Sequence, residues 1–275
     1  MNSLRLCGEL YHRVAEVAER IPFVNYKLLL QYDGTEFHGW QMQGELRTVQ
    51  SELTAALSLI EGRRVAVNGS GRTDAGVHAE GQVASVTLAR EILPAKLRAA
   101  INANVGKDLR VIEVMKVSDE FHARYSAIGK TYVYRIVNGP VNSPFWSRYA
   151  HHDARRLDVD KMLAGKELFI GTHDWTAFSA AKSDVEDRVR TISSLAVTSA
   201  HDGRARSLML EIRVTANGFL RYMVRTIAGT LMALGRGELH LDQIHEAIEK
   251  GGRPNAAVTA PACGLTLVSV QYPEL

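Results

Sequence analysis

The pattern of hydrophobic periods predicts an α+β fold of two ferredoxin-like halves, each running β-α-β-β-α-β, with antiparallel sheets and a central active-site cleft between them. Strand-type alternation opens each half, at residues 26–32 and again from Thr131. Helical spacing separates the strands, and the element order of the first half returns in the second with one added helix. No repeat of the residues themselves accompanies the repeated order.

Residues 1–23 read as a polar, partly helical leader, with Leu10, Val14 and Val17 on one face and Pro22 as its stop. In the first half, Tyr26, Leu28, Leu30 and Tyr32 alternate with Lys27, Leu29 and Gln31, which predicts a half-buried strand ending at Asp33-Gly34. Val49, Leu53, Leu57 and Ile60 stand at helical spacing, with Thr48 and Glu52 near a capped start and Gly62 at the end. Strands follow at residues 64–69 and 82–88, then a helix over 93–104 with Pro94 in its first turn, then a strand over 109–117.

The second half opens with Tyr132, Tyr134 and Ile136 alternating with Val133, Arg135 and Val137. A helix over 158–168, strands over 190–198 and 207–215, helices over 219–234 and 241–250, and a last strand over 265–270 complete it. The polar stretch 118–129 divides the halves, giving a leader 1–23, a first domain 24–125 and a second domain 126–275.

The composition, 46% hydrophobic and 23% charged, is that of a globular chain able to bury a core. A net charge of +3 permits a polyanionic partner without requiring one. Cys7 and Cys263 lie at opposite ends with no histidine at ligand spacing, which argues against a zinc site or a disulfide framework. His151-His152-Asp153 resembles a metal cluster only superficially, because adjacent histidines point apart. No apolar run is long enough to span a membrane, and Glu9, Glu16 and Glu19 interrupt the leader, so the expected setting is cytoplasmic.

The most informative stretch is Ser70 to Ala79, where Arg72, Thr73 and Asp74 stand between Gly71 and Gly76, flanked by apolar runs. This layout presents a carboxylate on a turn between strands, where it can face a cleft. Two readings stand side by side: a chemically active carboxylate at Asp74, or a surface turn with a local Arg72–Asp74 pair contributing about 0–1 kcal/mol. A dinucleotide fingerprint fails, since Asp74 occupies the third glycine's place and a strand follows.

The run Gly71-Arg72-Thr73-Asp74-Ala75-Gly76-Val77-His78 resembles the active-site signature of the tRNA pseudouridine synthase A family. Further motifs match in order: Tyr32-Asp33-Gly34-Thr35, Phe37-His38-Gly39-Trp40-Gln41, Phe121-His122-Ala123-Arg124-Tyr125-Ser126, Lys130-Thr131-Tyr132, Phe219-Leu220-Arg221-Tyr222-Met223-Val224-Arg225 and Ala260-Pro261-Ala262-Cys263-Gly264-Leu265. Met42 stands where many members carry arginine, and Ala79 where glycine is frequent; neither belongs to the implied catalytic set.

The resemblance implies conversion of uridine to pseudouridine in the anticodon stem-loop of tRNA, at positions 38 to 40, by a homodimer without a cofactor. It implies Asp74 as the essential carboxylate, adding to C1′ of the ribose or initiating elimination there. Arg225 is implied as its ion-pair partner and Tyr132 as the residue stacking on the target base. The Tyr132 hydroxyl is a candidate acceptor of the C5 proton. Leu265 closes the other side of the base slot, and Arg72 fills the stack vacated by an extruded nucleotide. Lys27, Lys130, Arg135, Arg188 and Arg190 are candidate phosphate contacts. Two rival readings are a non-catalytic RNA-binding protein, which lacks an RNP pattern, and a glycoside hydrolase, which needs a second acid.

Overall fold

Strand β1 (Val24–Tyr32) buries Tyr26, Leu28, Leu30 and Tyr32 as its alternation requires. The computed structural model describes residues 23–181, 185–255 and 257–274, so the leader helix expected around Leu10, Val14 and Val17 lies outside it. Helix α1 (Val49–Glu61) begins at Thr48, whose side chain accepts from the Ser51 amide while the Ser51 hydroxyl caps the Thr48 amide. Ser51, not Glu52, completes that cap; Glu52 is taken up by Arg47 at 2.6 Å. Gly62 ends the helix at φ 76°, a left-handed cap.

Short β2 (Val67–Gly69) leads into the Asp74 turn, and β3 (His78–Leu88) leaves it four residues earlier than the expected strand start at 82. Nearly all of β3 is buried, because helices cover one face and Phe121 and Ala123 of the β4–β5 connection pack on Val83. Then come α2 (Pro94–Ala103), β4 (Leu109–Val117), β5 (Gly129–Asn138), β6 (His151–Asp153), α3 (Val159–Lys166) and β7 (Gly171–Asp174). Strands β8 (Val189–Asp202) and β9 (Ser207–Ala216), helices α4 (Met223–Gly235) and α5 (Leu241–Lys250), and β10 (Leu265–Gln271) complete the chain.

The strands form one ten-stranded sheet, not two. Its main path runs β4-β1-β3-β10-β5-β9-β8-β7, with β2 beside β3 and β6 beside β5. The seam is β10, antiparallel to β5 and parallel to β3 through Thr266–His78 and Leu267–Ala79. The expectation of purely antiparallel sheets is corrected by that pairing and by the parallel β5–β6 ladder. On either side of the seam the order repeats: β4-β1-β3-β2 in the first half and β10-β5-β9-β8 in the second.

Helix α4 differs from its expected start at Phe219. Tyr222 has φ 67°, which breaks the helical path, so Phe219 to Arg221 precede the helix. Every residue of α4 except Arg225 is buried. Gly229 lets the segment carrying Val258 lie directly against the helix, since a Cβ there would meet the Val258 carbonyl. No helix of the described residues is long and apolar enough to cross a membrane.

Candidate active site

A web of polar contacts holds the backbone around Asp74. The Ser70 hydroxyl donates to Gln82 Oε1 at 2.6 Å, and Gln82 Nε2 donates to the Gly71 carbonyl at 3.1 Å. Thr73 shares a 2.9 Å hydrogen bond with the Tyr32 hydroxyl, and the Trp40 amide donates to the Thr73 carbonyl at 3.0 Å. Gly39, at φ 86°, passes so close beneath the turn that a Cβ would lie 2.6 Å from the Thr73 carbonyl. Burial pushes the Tyr32 phenol up to about 12, so it stays a neutral hydrogen-bonding group. Tied down in this way, the turn presents the Asp74 side chain to α4.

Arg225 comes from α4 to meet it. Its Nη1 donates to Asp74 Oδ2 at 3.1 Å, and its Nε donates to the Ala260 carbonyl at 2.7 Å. Ala260 in turn donates its amide to the Arg225 carbonyl at 3.0 Å, so the segment fitted against Gly229 also orients the guanidinium. Arg221 Nε lies 3.8 Å from the other carboxylate oxygen. Helical i, i+4 spacing predicts that both arginines face one way, but Arg221 stands outside the helix. The left-handed turn at Tyr222 brings it round instead, and both guanidiniums lie over the Tyr222 ring, at 4.7 Å and 5.2 Å from its centroid.

Tyr132 lies on β5, with Leu267 of β10 opposite it and Leu265 opposite Tyr134. Leu265 therefore shares the sheet face of Tyr132 on the diagonal. Phe219 meets the Tyr132 ring edge-on at 5.1 Å. Burial, and after it the charges of Tyr32 and Asp74, push the Tyr132 phenol above its ordinary range, which keeps its hydroxyl protonated. The structure thus brings Asp74, Arg225, Tyr132 and Leu265 to one place across the seam.

Other sequence-selected residues fall elsewhere or stand alone. Arg72 is exposed and makes no ion pair with Asp74 or any other described residue, so the local pair of the bland reading does not form. Arg135 is engaged by Glu211 and Glu80, Arg188 by the carbonyls of Ala180 and Ala181, and Arg190 by Asp187 and the Val189 carbonyl. Lys27 lies over the rings of Tyr272 and Phe121. Asp153 is buried against Arg236 at 2.9 Å, and His152 Nε2 bonds the Gly139 carbonyl at 2.7 Å. The described residues contain no group of three His, Cys, Asp or Glu side chains placed to hold a metal ion.

Sequence reasoning missed Tyr222, Gln82 and the Ala260 carbonyl. Gln82 left a signal, as a polar residue just before the apolar run 83–88; Tyr222 and Ala260 stand within matched motifs, but their roles left none, since one acts through its backbone angle and the other through a main-chain atom.

A family model described as tRNA pseudouridine synthase matches residues 29–126 and 166–273, which include Asp74, Arg225 and Leu265. A relative from Bacillus sp. (strain KSM-64) named tRNA pseudouridine synthase A is 41% identical over 249 residues, 90% of this chain and 99% of its own. Another so named, from Thermodesulfovibrio yellowstonii, is 38% identical over 254 residues, 90% of this chain and 100% of its own. Matched across both halves and at this level of identity, the chain belongs to the tRNA pseudouridine synthase family, the isomerases that make pseudouridine in tRNA.

Proposed function

We propose that this enzyme converts uridine to pseudouridine in the anticodon stem-loop of tRNA, at positions 38, 39 and 40, with Asp74 as the catalytic carboxylate. The observation that carries this reading is the 3.1 Å Arg225–Asp74 hydrogen bond, made between residues 151 apart in the chain and beside the buried Tyr132 ring. The reaction breaks the bond between uracil N1 and ribose C1′, forms one between C5 and C1′, and moves a proton from C5 to N1. Atoms and electrons balance within the substrate, so the reading needs no cofactor.

Asp74 acts at the sugar, by adding to C1′ or by initiating elimination. Arg225, charged at any working pH, fixes the carboxylate and balances its charge. A stem uridine reaches Asp74 only when flipped out, at a cost of a few kcal/mol that phosphate contacts and stacking offset. Arg72, exposed beside Asp74 and without a partner among the described residues, suits the task of filling the gap. Tyr132 and Leu265 hold the freed uracil, and an aromatic plane tolerates the base's rotation. Because the Tyr132 hydroxyl stays protonated, it accepts the C5 proton only as its own proton passes on.

Release of tritium from C5-labelled tRNA tests the proposal. Wild type releases it, and Asp74→Asn lowers the rate at least a thousandfold while still binding tRNA; undiminished release by the variant refutes the catalytic role. Transcripts bearing a single uridine at position 38, 39 or 40 test the location. Within this reading the repeated strand order supports two ferredoxin-like domains, 24–125 and 126–275, and the setting is cytoplasmic, where the substrate is. One subunit is small for a tRNA arm, which supports a homodimer; a monomer by light scattering would contradict it.

A further inference from the structure

The connection from β4 to β5 carries groups that the isomerisation leaves without a task. In it, His122 Nδ1 accepts the backbone amides of Arg124 and Tyr125 at 3.1 Å and 3.3 Å, and its ring lies 4.4 Å from that of Tyr125. The imidazole thereby backs Tyr125, which is nonetheless 77% exposed. The Arg124 guanidinium lies 5.7 Å from the same ring centroid. An aromatic ring held out in solvent between an imidazole and a guanidinium offers a free face on which a nucleobase can stack.

Lys130, at the start of β5, is half-buried, and its ammonium makes no hydrogen bond or ion pair with any described residue. Its Nζ stands 3.3 Å from the point a Cβ on Gly71 would occupy, so the ammonium rests against the Asp74 turn. By strand period it shares the sheet face of Tyr132, two residues on. The charges acting on it are those of Arg124 and Arg190, both positive. Burial and these like charges lower its pKa, and an ammonium so placed calls for an anion from outside the chain.

We infer that residues 122–130 form a seat for single-stranded RNA beside the reaction centre. Lys130 and Arg124 take a phosphodiester next to the extruded nucleotide, and Tyr125 stacks on an unpaired base of the same strand. An acidic peptide would satisfy the two cations but give the exposed ring nothing to stack on, whereas RNA supplies phosphate and base together. This inference rests on the tRNA isomerase reading and adds to it the part of the substrate gripped outside the base slot.

The test is filter binding and steady-state tritium release with tRNA, over a range of salt, for Lys130→Met, Lys130→Arg, Tyr125→Ala and Tyr125→Trp. Lys130→Met is expected to weaken binding about tenfold, to raise KM more than it changes kcat, and to reduce the slope of log Kd against log salt by about one. Lys130→Arg restores most of the affinity. Tyr125→Ala weakens binding about tenfold with the salt slope unchanged, and Tyr125→Trp retains wild-type affinity. Lys130→Gln is read alongside in case the methionine variant fails to fold. Wild-type Kd and salt slope in the Lys130 and Tyr125→Ala variants would overturn the seat. A wild-type chain that releases no tritium, yet loses RNA affinity with these variants, refutes the isomerase reading and upholds the seat.

Discussion

Tyr222 adopts φ 67°, a left-handed conformation that costs a bulky residue about 1–2 kcal/mol. The strain has a visible return: the chain turns just before α4, which aims Arg221 and Arg225 at the two oxygens of Asp74 and gives both guanidiniums a ring to lie over. Tyr222→Gly separates these effects. Relief of the backbone offsets the lost ring, so stability changes by less than about 1 kcal/mol. Turnover falls by tenfold or more, because the arginines lose their support and Asp74 its geometry. Urea midpoints and tritium release, measured on the same preparation, check both halves of the expectation. Full turnover would mean that Ala260 alone orients Arg225.

The Asp74 turn is fixed as an element, by β3 through Gln82, by β1 through Tyr32, and by the loop at Gly39 and Trp40. Gly39→Ala therefore strikes the site from a distance, with strained backbone and a Cβ 2.6 Å from the Thr73 carbonyl. A loss of about 2 kcal/mol or more is expected, with a kcat deficit that persists at temperatures where the variant is fully folded. A variant that is less stable but equally active would show that the turn keeps its shape without Gly39. Long elements with a clear period were legible in the sequence: β1, β4, α1 with its Thr48 and Gly62 caps, and α5 up to Gly251. The start of α4 was not, since the apolar stripe runs through Phe219 and Leu220 and carries no trace of the left-handed residue between them and the helix. Nor were β6 and β7, three and four residues long, too short for a period to register. The pairing of β10 with β3 joins residues nearly 190 positions apart and is written in neither segment. The family signature marked Asp74 and Arg225, but their common position depends on that seam, which is a property of the folded chain.

At the scale of the whole molecule, titration sets a window of stability with two edges. Burial lowers the pKa of His78 and His151 below 6.5, outweighing the attraction of nearby carboxylates. A histidine depressed in the folded state contributes stability above its unfolded pKa and loses it as pH falls, so the acid edge begins near 6.5. Asp108, held down by hydrogen bonds from Arg47, has the same sign at lower pH. So does Asp153, whose burial is outweighed by the hydrogen bonds and charges of Arg155 and the charge of Arg236, and both are lost below 3.8. The alkaline edge has the opposite sign. Burial raises Tyr32 from 10.0 to about 12 and raises Tyr132 and Tyr134 as well, so their contribution is present below 10.0 and lost above it. Tyr32 alone accounts for about 3 kcal/mol by that route. Tyr149 and Tyr272 add to that loss, Cys263, raised from 9.0 by burial, begins it earlier, and Lys130, depressed by burial, works the other way. Urea midpoints followed by tryptophan fluorescence are therefore expected to be level between about pH 7 and 9, to fall gradually below 6.5 and steeply below 4, and to fall again above 9, most steeply above 10. A midpoint that rises between pH 6.5 and 5 would show that His78 and His151 are charged in the folded protein, and with them the packing of β3 against β10 and of β6 against β5 would need a different electrostatic account.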